Sequence, residues 1–337
     1  MTTANKTALV LGATGGIGGE VARQLQRAGW QVKALVRDRS RVAARRDGIA
    51  WIEGDAMNAA DVLRAAQGAS AIVHAVNPPG YQRWGELVLP MIDNTIAAAR
   101  AVGARIVLPG TVYNFGPDAG EVLAEDAPQH PHTSKGQIRV ELERRLQGAA
   151  AQGVRSLVVR AGDFFGPQPG NSWFSQGMVK AGKPVGTILC PSREGVGHTW
   201  AYLPDVARTM VLLLERDATL PAFARFHMAG HWDANGRELA ASVQRVVRAA
   251  TGRTPRAMGF PWFVLTLLTP VLRFAREMRE MRDLWLSRAL RMDNARLVAE
   301  LGFEPHTPLD EAVAAALRGQ GSLPEVPAPD RPVAQRA

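Results

Sequence analysis

The stretch Leu9-Val10-Leu11-Gly12-Ala13-Thr14-Gly15-Gly16-Ile17-Gly18 decides how the rest of the chain is read. Residues Thr7 to Leu11 form a short apolar run, which predicts a buried parallel strand. Glycines follow at 12, 15 and 18. A helical pattern then begins, with Val21, Ala22 and Leu25 on one face. A glycine cluster between a strand and a helix is a dinucleotide-binding signal with a mechanism behind it. Gly12 permits the tight turn. Gly15 removes a side chain where a pyrophosphate approaches the backbone. Gly18 lets the helix lie close to the sheet. Unpaired N–H groups and the positive dipole end of the helix then face the phosphates, with Thr14, Gly16 and Ile17 on the same turn.

Working outward, Gln31 to Val36 reads as a second strand that ends at Arg37. In such folds this position meets the adenosine ribose. An acidic residue there favours the 2′-hydroxyl of NAD, whereas arginine suits a 2′-phosphate. Arg37, helped by Arg39 or Arg41, therefore points to NADP, with NAD as the alternative. A third strand, Ala50 to Glu53, leads to Asp55, which either contacts the adenine edge or caps the following helix. The fourth strand runs from Ala71 to Val76, so Ala75 and Asn77 fall at the cofactor. His74, inside that strand, reads as a satisfied buried histidine. A helix over 84–102 and a fifth strand, Ala104 to Leu108, continue the alternation, and Val154 to Arg160 is a sixth strand. The pattern predicts an α/β, doubly wound parallel sheet of Rossmann type over residues 1–160.

Beyond 160 the text changes. Residues 161–193 are rich in Gly, Pro and Ser, and 161–318 reads as a smaller substrate-binding region with some elements returning to the core. Residues 319–337 contain several prolines and few apolar side chains, which predicts a disordered tail. Sixteen residues lie between Arg256 and Arg273, fewer than the roughly 20 that span a bilayer. That apolar segment, 257–272, reads as a helix lining a substrate pocket or packing on the core; peripheral membrane contact is the alternative.

The net charge is +9, but the basic residues form no stripe interleaved with aromatics, which argues against nucleic acid. The lone cysteine, Cys190, excludes an internal disulfide and reads as a core residue. His227 and His231 fall on strand and turn without a carboxylate companion, so no metal site is expected. The N-terminus leads straight into the first strand, from which a cytoplasmic location is expected. The partner expected is a small-molecule substrate. Oligomeric state is not legible, a dimer being compatible.

The glycine turn and the C-terminal Asp293–Asp310 pattern resemble the short-chain dehydrogenase/reductase superfamily, in its extended or atypical branches. That superfamily carries a tyrosine four residues before a lysine on one helix, for proton transfer beside the nicotinamide. Here the residues four positions after Tyr81, Tyr113 and Tyr202 are Gly85, Pro117 and Val206, so the pair is absent. The helix that should bear it carries Lys135-x-x-Ile138-Arg139 with Glu143, after Phe115-Gly116-Pro117-Asp118. This is similar to the isoflavone-reductase-like group, in which the lysine transfers the proton and the cofactor is NADPH. The resemblance implies Lys135 as the proton-transfer residue and Arg139 as a positioning residue. Tyr113 is the second candidate donor, Thr111 the nearest hydroxyl to the usual serine, and His132 a third, weaker donor.

The expected function is an NADP-dependent oxidoreductase acting on a carbonyl or conjugated double bond of a small apolar substrate. Two alternatives stand beside it: a sugar-nucleotide epimerase or dehydratase, and a catalytically silent NADP(H)-binding redox sensor.

Overall fold

The computed structural model describes residues 6–78, 83–168, 170, 172–268 and 281–324. In chain order the elements are β1 Thr7–Leu11, α1 Gly16–Arg27, β2 Gln31–Val36, β3 Ala50–Glu53, α2 Ala59–Ala66, β4 Ala71–His74, α3 Trp84–Val102, β5 Arg105–Gly110, β6 Val122–Leu123 and α4 Ser134–Ala150. Then follow β7 Ser156–Arg160, β8 Asp163–Phe165, β9 Thr187–Cys190, β10 His198–Tyr202, α5 Leu203–Leu214, β11 Phe223–His227, β12 His231–Asp233, α6 Glu238–Thr251, β13 Arg256–Gly259 and α7 Trp262–Leu268. The last elements are α8 Arg282–Leu286, β14 Arg291–Met292, α9 Ala295–Leu301 and α10 Leu309–Gly319.

Seven strands make one parallel sheet in the order β11-β7-β5-β4-β1-β2-β3. The strand order reverses between β1 and β4. Ligands in open parallel sheets bind at such a point, beyond the carboxyl ends of the strands. The apolar runs explain the architecture: β1 and β7 are buried along their whole length, as strands covered on both faces must be. One core cluster joins Leu9, Ile72 and Ile106 to α3 and to the later aromatics; the other joins Val10, Val73 and Val159 to α1 and α5.

The region after 160 rejoins the core, since β11 is an edge strand of the main sheet. The remaining strands form small sheets, β12-β10-β8, β13-β9 and β14-β6. Several expected boundaries shift. β4 ends at His74, because the Ala75 carbonyl turns against the glycine turn. α4 runs to Ala150, before Gly153 adopts a left-handed backbone. Asp205 does not cap α5 but lies in its first turn, and its carboxylate accepts from the Thr307 N–H and Oγ1, at 2.7 and 2.9 Å.

Residues 319–324, expected to open a disordered tail, fold back on the molecule. Gln320 donates to the Gly166 carbonyl at 3.0 Å, and Leu323 is buried. Residues 325–337 lie outside the described residues. In segment 257–272, Trp262 is buried with its indole N–H on the Pro191 carbonyl, while Phe263 is exposed. The described part of this segment therefore docks on the core; residues 269–272 lie outside the described residues. No described helix is long and apolar enough to cross a membrane. Cys190 is buried, and burial pushes its thiol pKa up.

Three histidines in the interior are held neutral. Burial pushes His74 down to about 3, His227 to about 2 and His231 to about 4. Nearby positive charge adds to this, from Arg139 at His74 and from Arg160 at His227. In the unfolded chain each takes up a proton near pH 6.5. The unfolded state therefore binds more protons between that value and the depressed native ones. Stability is full above about pH 6.5 and falls below it, by up to about 1.4 kcal/mol per pH unit for each histidine. Thermal melts should show a level transition temperature from pH 7 to 8 and a steep fall toward pH 5. A His227→Asn variant should show a shallower fall.

Candidate active site

The carboxyl ends of β1, β2, β4 and β5 open into one cleft of about 910 Å³. The glycine turn forms its floor. Gly12 has φ +91°, and a Cβ there would lie 2.5 Å from the Ala75 carbonyl oxygen. A Cβ at Gly18 would lie 2.3 Å from the Gly12 oxygen. Both glycines are thus required for the turn to close on itself. Gly18 lies behind the cleft rather than on it. Gly15 donates its N–H to the Gly12 carbonyl at 2.9 Å and starts α1 without a side-chain cap. An anion is therefore met by the first turn of the helix, at Gly16 and Ile17, rather than by the Gly15 amide.

Gly12, Thr14, Gly15, Gly16, Ile17, Arg37, Asp55, Ala75 and Asn77 all line the cleft. At the adenosine end, Arg37, Arg41 and Arg45 converge on it. Asp38 lines this end too: its carboxylate accepts from the Ser40 N–H at 3.0 Å and the Ser40 hydroxyl at 2.6 Å, which, with the nearby Arg41 charge, holds its pKa below the usual range. It caps the 3-10 turn Arg39–Val42. Asp55 does not cap α2. Asn58 does, by accepting from the N–H groups of Ala60 and Asp61. Asp55 accepts from the Met57 N–H at 3.0 Å, while Asp61 holds the Asp55 N–H at 3.0 Å, so the loop presents Asp55 to the cleft. These residues fit a nicotinamide dinucleotide: a turn that admits no Cβ at two positions, an uncapped helix start, and arginines after β2.

At the other end stand Thr111, Tyr113, Arg139, Trp84 and Asp163. Thr111 caps a 3-10 turn, Val112–Asn114, that presents Tyr113. Arg139 reaches across from α4, donating to Asn77 Oδ1 at 3.2 Å with its guanidinium 4.8 Å from the Trp84 ring. Lys135, on the same helix, is buried and is not among the residues lining the cleft. His74 Nδ1 lies 2.8 Å from Thr95 Oγ1. The Thr95 hydroxyl donates to the Met91 carbonyl, so His74 Nδ1 carries the proton and donates to it. Tyr202 is buried away from the cleft, and burial beside Asp205 and Glu20 raises it to about 12. Tyr81 lies outside the described residues. Exposed His132 does not line the cleft.

Behind this end lies a buried charge network. Arg160 Nη2 donates to both Glu143 oxygens, at 2.7 and 2.6 Å, and neither side chain is more than 5% exposed. Arg160 also donates to the Thr111 carbonyl and, through Nε, to His227 Nε2 at 3.1 Å. The His227 Nδ1–H donates to the Leu123 carbonyl at 3.0 Å. Glu143 accepts from Asn114 Nδ2 at 3.0 Å. Glu143, singled out with Lys135 and Arg139 in the helix motif, is therefore the strut that fixes the 111–114 turn. His227 belongs to this strut. Among the described residues no cluster of three or more metal-ligating side chains forms.

Two residues at this end were not anticipated from sequence. The Tyr113 hydroxyl donates to Asp163 Oδ1 at 3.1 Å, and His198 Nε2 lies 2.8 Å from Asp163 Oδ2. The signal for Asp163 was its place, in Gly162-Asp163 just past the buried strand β7. Gly162 permits the approach: a Cβ there would lie 2.0 Å from the Thr199 oxygen. His198 carried no local signal, since it reaches Asp163 only through the parallel pairing of β8 with β10.

Residues 12–144 match the family described as NAD(P)H-binding. A 3-diazoavenalumate denitrifying reductase from Streptomyces sp is 29% identical over 287 residues, covering 77% of this chain and 89% of that protein. The UDP-glucose 4-epimerase of Brucella ovis, solved with NAD, superposes with a TM-score of 0.73 at 17% identity, over 94% of this chain and 98% of that one. The UDP-glucose 4-epimerase of Bifidobacterium longum, solved with NAD+ and UDP, gives 0.69 at 13% identity, over 94% of this chain and 100% of that one. At these identities the structures share the fold.

If the Arg160–Glu143 pair holds the turn as described, Glu143→Ala leaves a buried guanidinium unpaired. It should cost about 3–5 kcal/mol of unfolding free energy, read by denaturant titration. Arg144→Ala, an exposed ion pair with Glu141 on the same helix, should cost less than about 1 kcal/mol.

Proposed function

We infer that the chain is a Rossmann protein of the reductase/epimerase type that binds a nicotinamide dinucleotide through the part matched as NAD(P)H-binding, residues 12–144. We propose that it is an NADP(H)-dependent oxidoreductase acting on a carbonyl or conjugated double bond of a small apolar substrate. The observation that carries this reading is the single cleft with Arg37, Arg41 and Arg45 at one end and Tyr113, Thr111 and Arg139 at the other. The three arginines supply charge-assisted donors for a 2′-phosphate, and Asp38, next to Arg37 in the chain, accepts two hydrogen bonds from Ser40. When bound, the nicotinamide supplies the hydride donor or acceptor.

The chain's own residues do the rest. Gly12 to Ile17 hold the pyrophosphate. Arg139, always charged, positions ribose or substrate at Asn77. Trp84, Leu87, Met91 and Phe164 provide apolar walls. Tyr113 handles the proton, because it is the described tyrosine that lines the cleft, whereas Lys135 does not reach it. The reductase name of the Streptomyces relative supports reduction over epimerisation, and a diazo compound belongs in any substrate panel for that reason.

Arg37→Ala should weaken NADPH binding about 10- to 100-fold, the worth of a charge-assisted contact, while NADH stays within about twofold. Isothermal titration reads both; equal losses would remove the NADP preference. Tyr113→Phe should lower kcat by about 10²–10⁴ on any substrate the wild type turns over. A loss of turnover in Lys135→Met, with none in Tyr113→Phe, would return the proton role to Lys135. NADPH binding without turnover across carbonyl, enone and diazo panels would favour the sensor.

A further inference from the structure

Tyr113 stands without a lysine four residues on, and a lone phenol is a weak acid and a weak base at neutral pH. Its surroundings supply something else. Asp163 lies between Tyr113 and His198, one carboxylate oxygen to each, at 3.1 and 2.8 Å. An ionised carboxylate only accepts, so both the Tyr113 hydroxyl and the His198 Nε2–H donate to it. Tyr113 and Asp163 line the cleft, whereas His198 does not. The His198 side chain is 1% exposed and that of Asp163 9%. The imidazole is stacked on Trp285, with centroids 3.9 Å apart and planes at 28°, and Trp200 closes its edge. His198 Nδ1 is buried without a hydrogen-bond partner among the described residues.

We propose that Tyr113, Asp163 and His198 form a proton relay that replaces the missing tyrosine–lysine pair. The inference rests on the oxidoreductase reading. In the oxidation direction, the substrate hydroxyl passes its proton to Tyr113 Oη as Tyr113 passes its own to Asp163 Oδ1. The carbon–hydrogen bond breaks with its electron pair going to the nicotinamide dinucleotide, and the carbon–oxygen double bond forms. The alcohol thus loses one proton and one hydride, and Asp163 ends neutral. Reduction is the reverse, with a protonated Asp163 reloading Tyr113 as the phenol protonates the new alkoxide. Asp163 acts on the reacting proton through Tyr113, and His198 is a positioning residue. It fixes the carboxylate by its Nε2–H, and the flat indole face of Trp285 keeps the ring from turning.

The arrangement differs from a structural strut in what it predicts. Ring nitrogen–proton correlation spectra of the seven histidines, with His198 assigned from His198→Gln, should show a proton on Nε2 that exchanges slowly. Its resonance should shift in Asp163→Asn. A proton found on Nδ1 alone would overturn the relay, and this measurement needs no substrate. On a substrate that the wild type turns over, Asp163→Asn should lower kcat about 100-fold or more, with KM and NADPH affinity within about threefold. His198→Gln should lower kcat about tenfold. The dependence of kcat on deuterium fraction should be curved in the wild type, reporting two protons in flight, and linear in Asp163→Asn. Wild-type turnover with an Asp163→Asn kcat within about threefold would overturn the relay and leave the oxidoreductase reading standing. No wild-type turnover on any panel would overturn the oxidoreductase reading and the catalytic relay together, even with the Nε2 proton in place.

Discussion

The buried pair of Arg160 and Glu143 is the constraint on which the active end of this molecule depends. Taking two charges out of water costs several kcal/mol each, and only close, well-directed contacts offset it. Both guanidinium–carboxylate contacts are short, and each partner has further hydrogen bonds, from Arg160 to the Thr111 carbonyl and His227, and from Asn114 to Glu143. Burial depresses the Arg160 pKa and Glu143 opposes that shift. The network crosses β7, α4, β11 and the turn after β5. A shift in any of these moves the turn that carries Tyr113. Stability and site geometry are therefore one problem here, and the pair sits a single residue layer behind the chemistry.

The other end of the cleft depends on contacts of a different kind. The glycine turn is closed by backbone against backbone, Gly18 on the Gly12 carbonyl and Gly12 on the Ala75 carbonyl. No side chain contributes, and no substitution conserves it. The turn also fixes where β4 must end, because the Ala75 carbonyl occupies the space. The same closure brings Asn77 to within reach of Arg139, at 3.2 Å. The two ends of the cleft are thus joined through the end of one strand.

Much of this was legible in the residues. The strand–glycine–helix text, Arg37 after the second strand and the alternation through 160 place the sheet and the cleft, since each depends on near neighbours in the chain. Asp55 was open between two roles, and only the fold separates them: Asn58 takes the cap that Asp55 was offered. For the helix motif, spacing does not separate two residues. Lys135 and Arg139 share a helix face by spacing, yet Arg139 lines the cleft and Lys135 does not. Which of two stacked side chains reaches a cavity depends on how α4 packs over the sheet, which spacing along the helix does not state.

What the chain announces through local spacing is a dinucleotide-binding Rossmann sheet, because glycines, an arginine and apolar periodicity act over a few residues. What it does not announce is who stands behind Tyr113. Asp163 and His198 are thirty-five residues apart. They meet because β8 and β10 pair in parallel, and because Gly162 has no side chain to hold them apart. Such a meeting is a property of strand register across a sheet, and register between distant strands is decided by the packing of the whole.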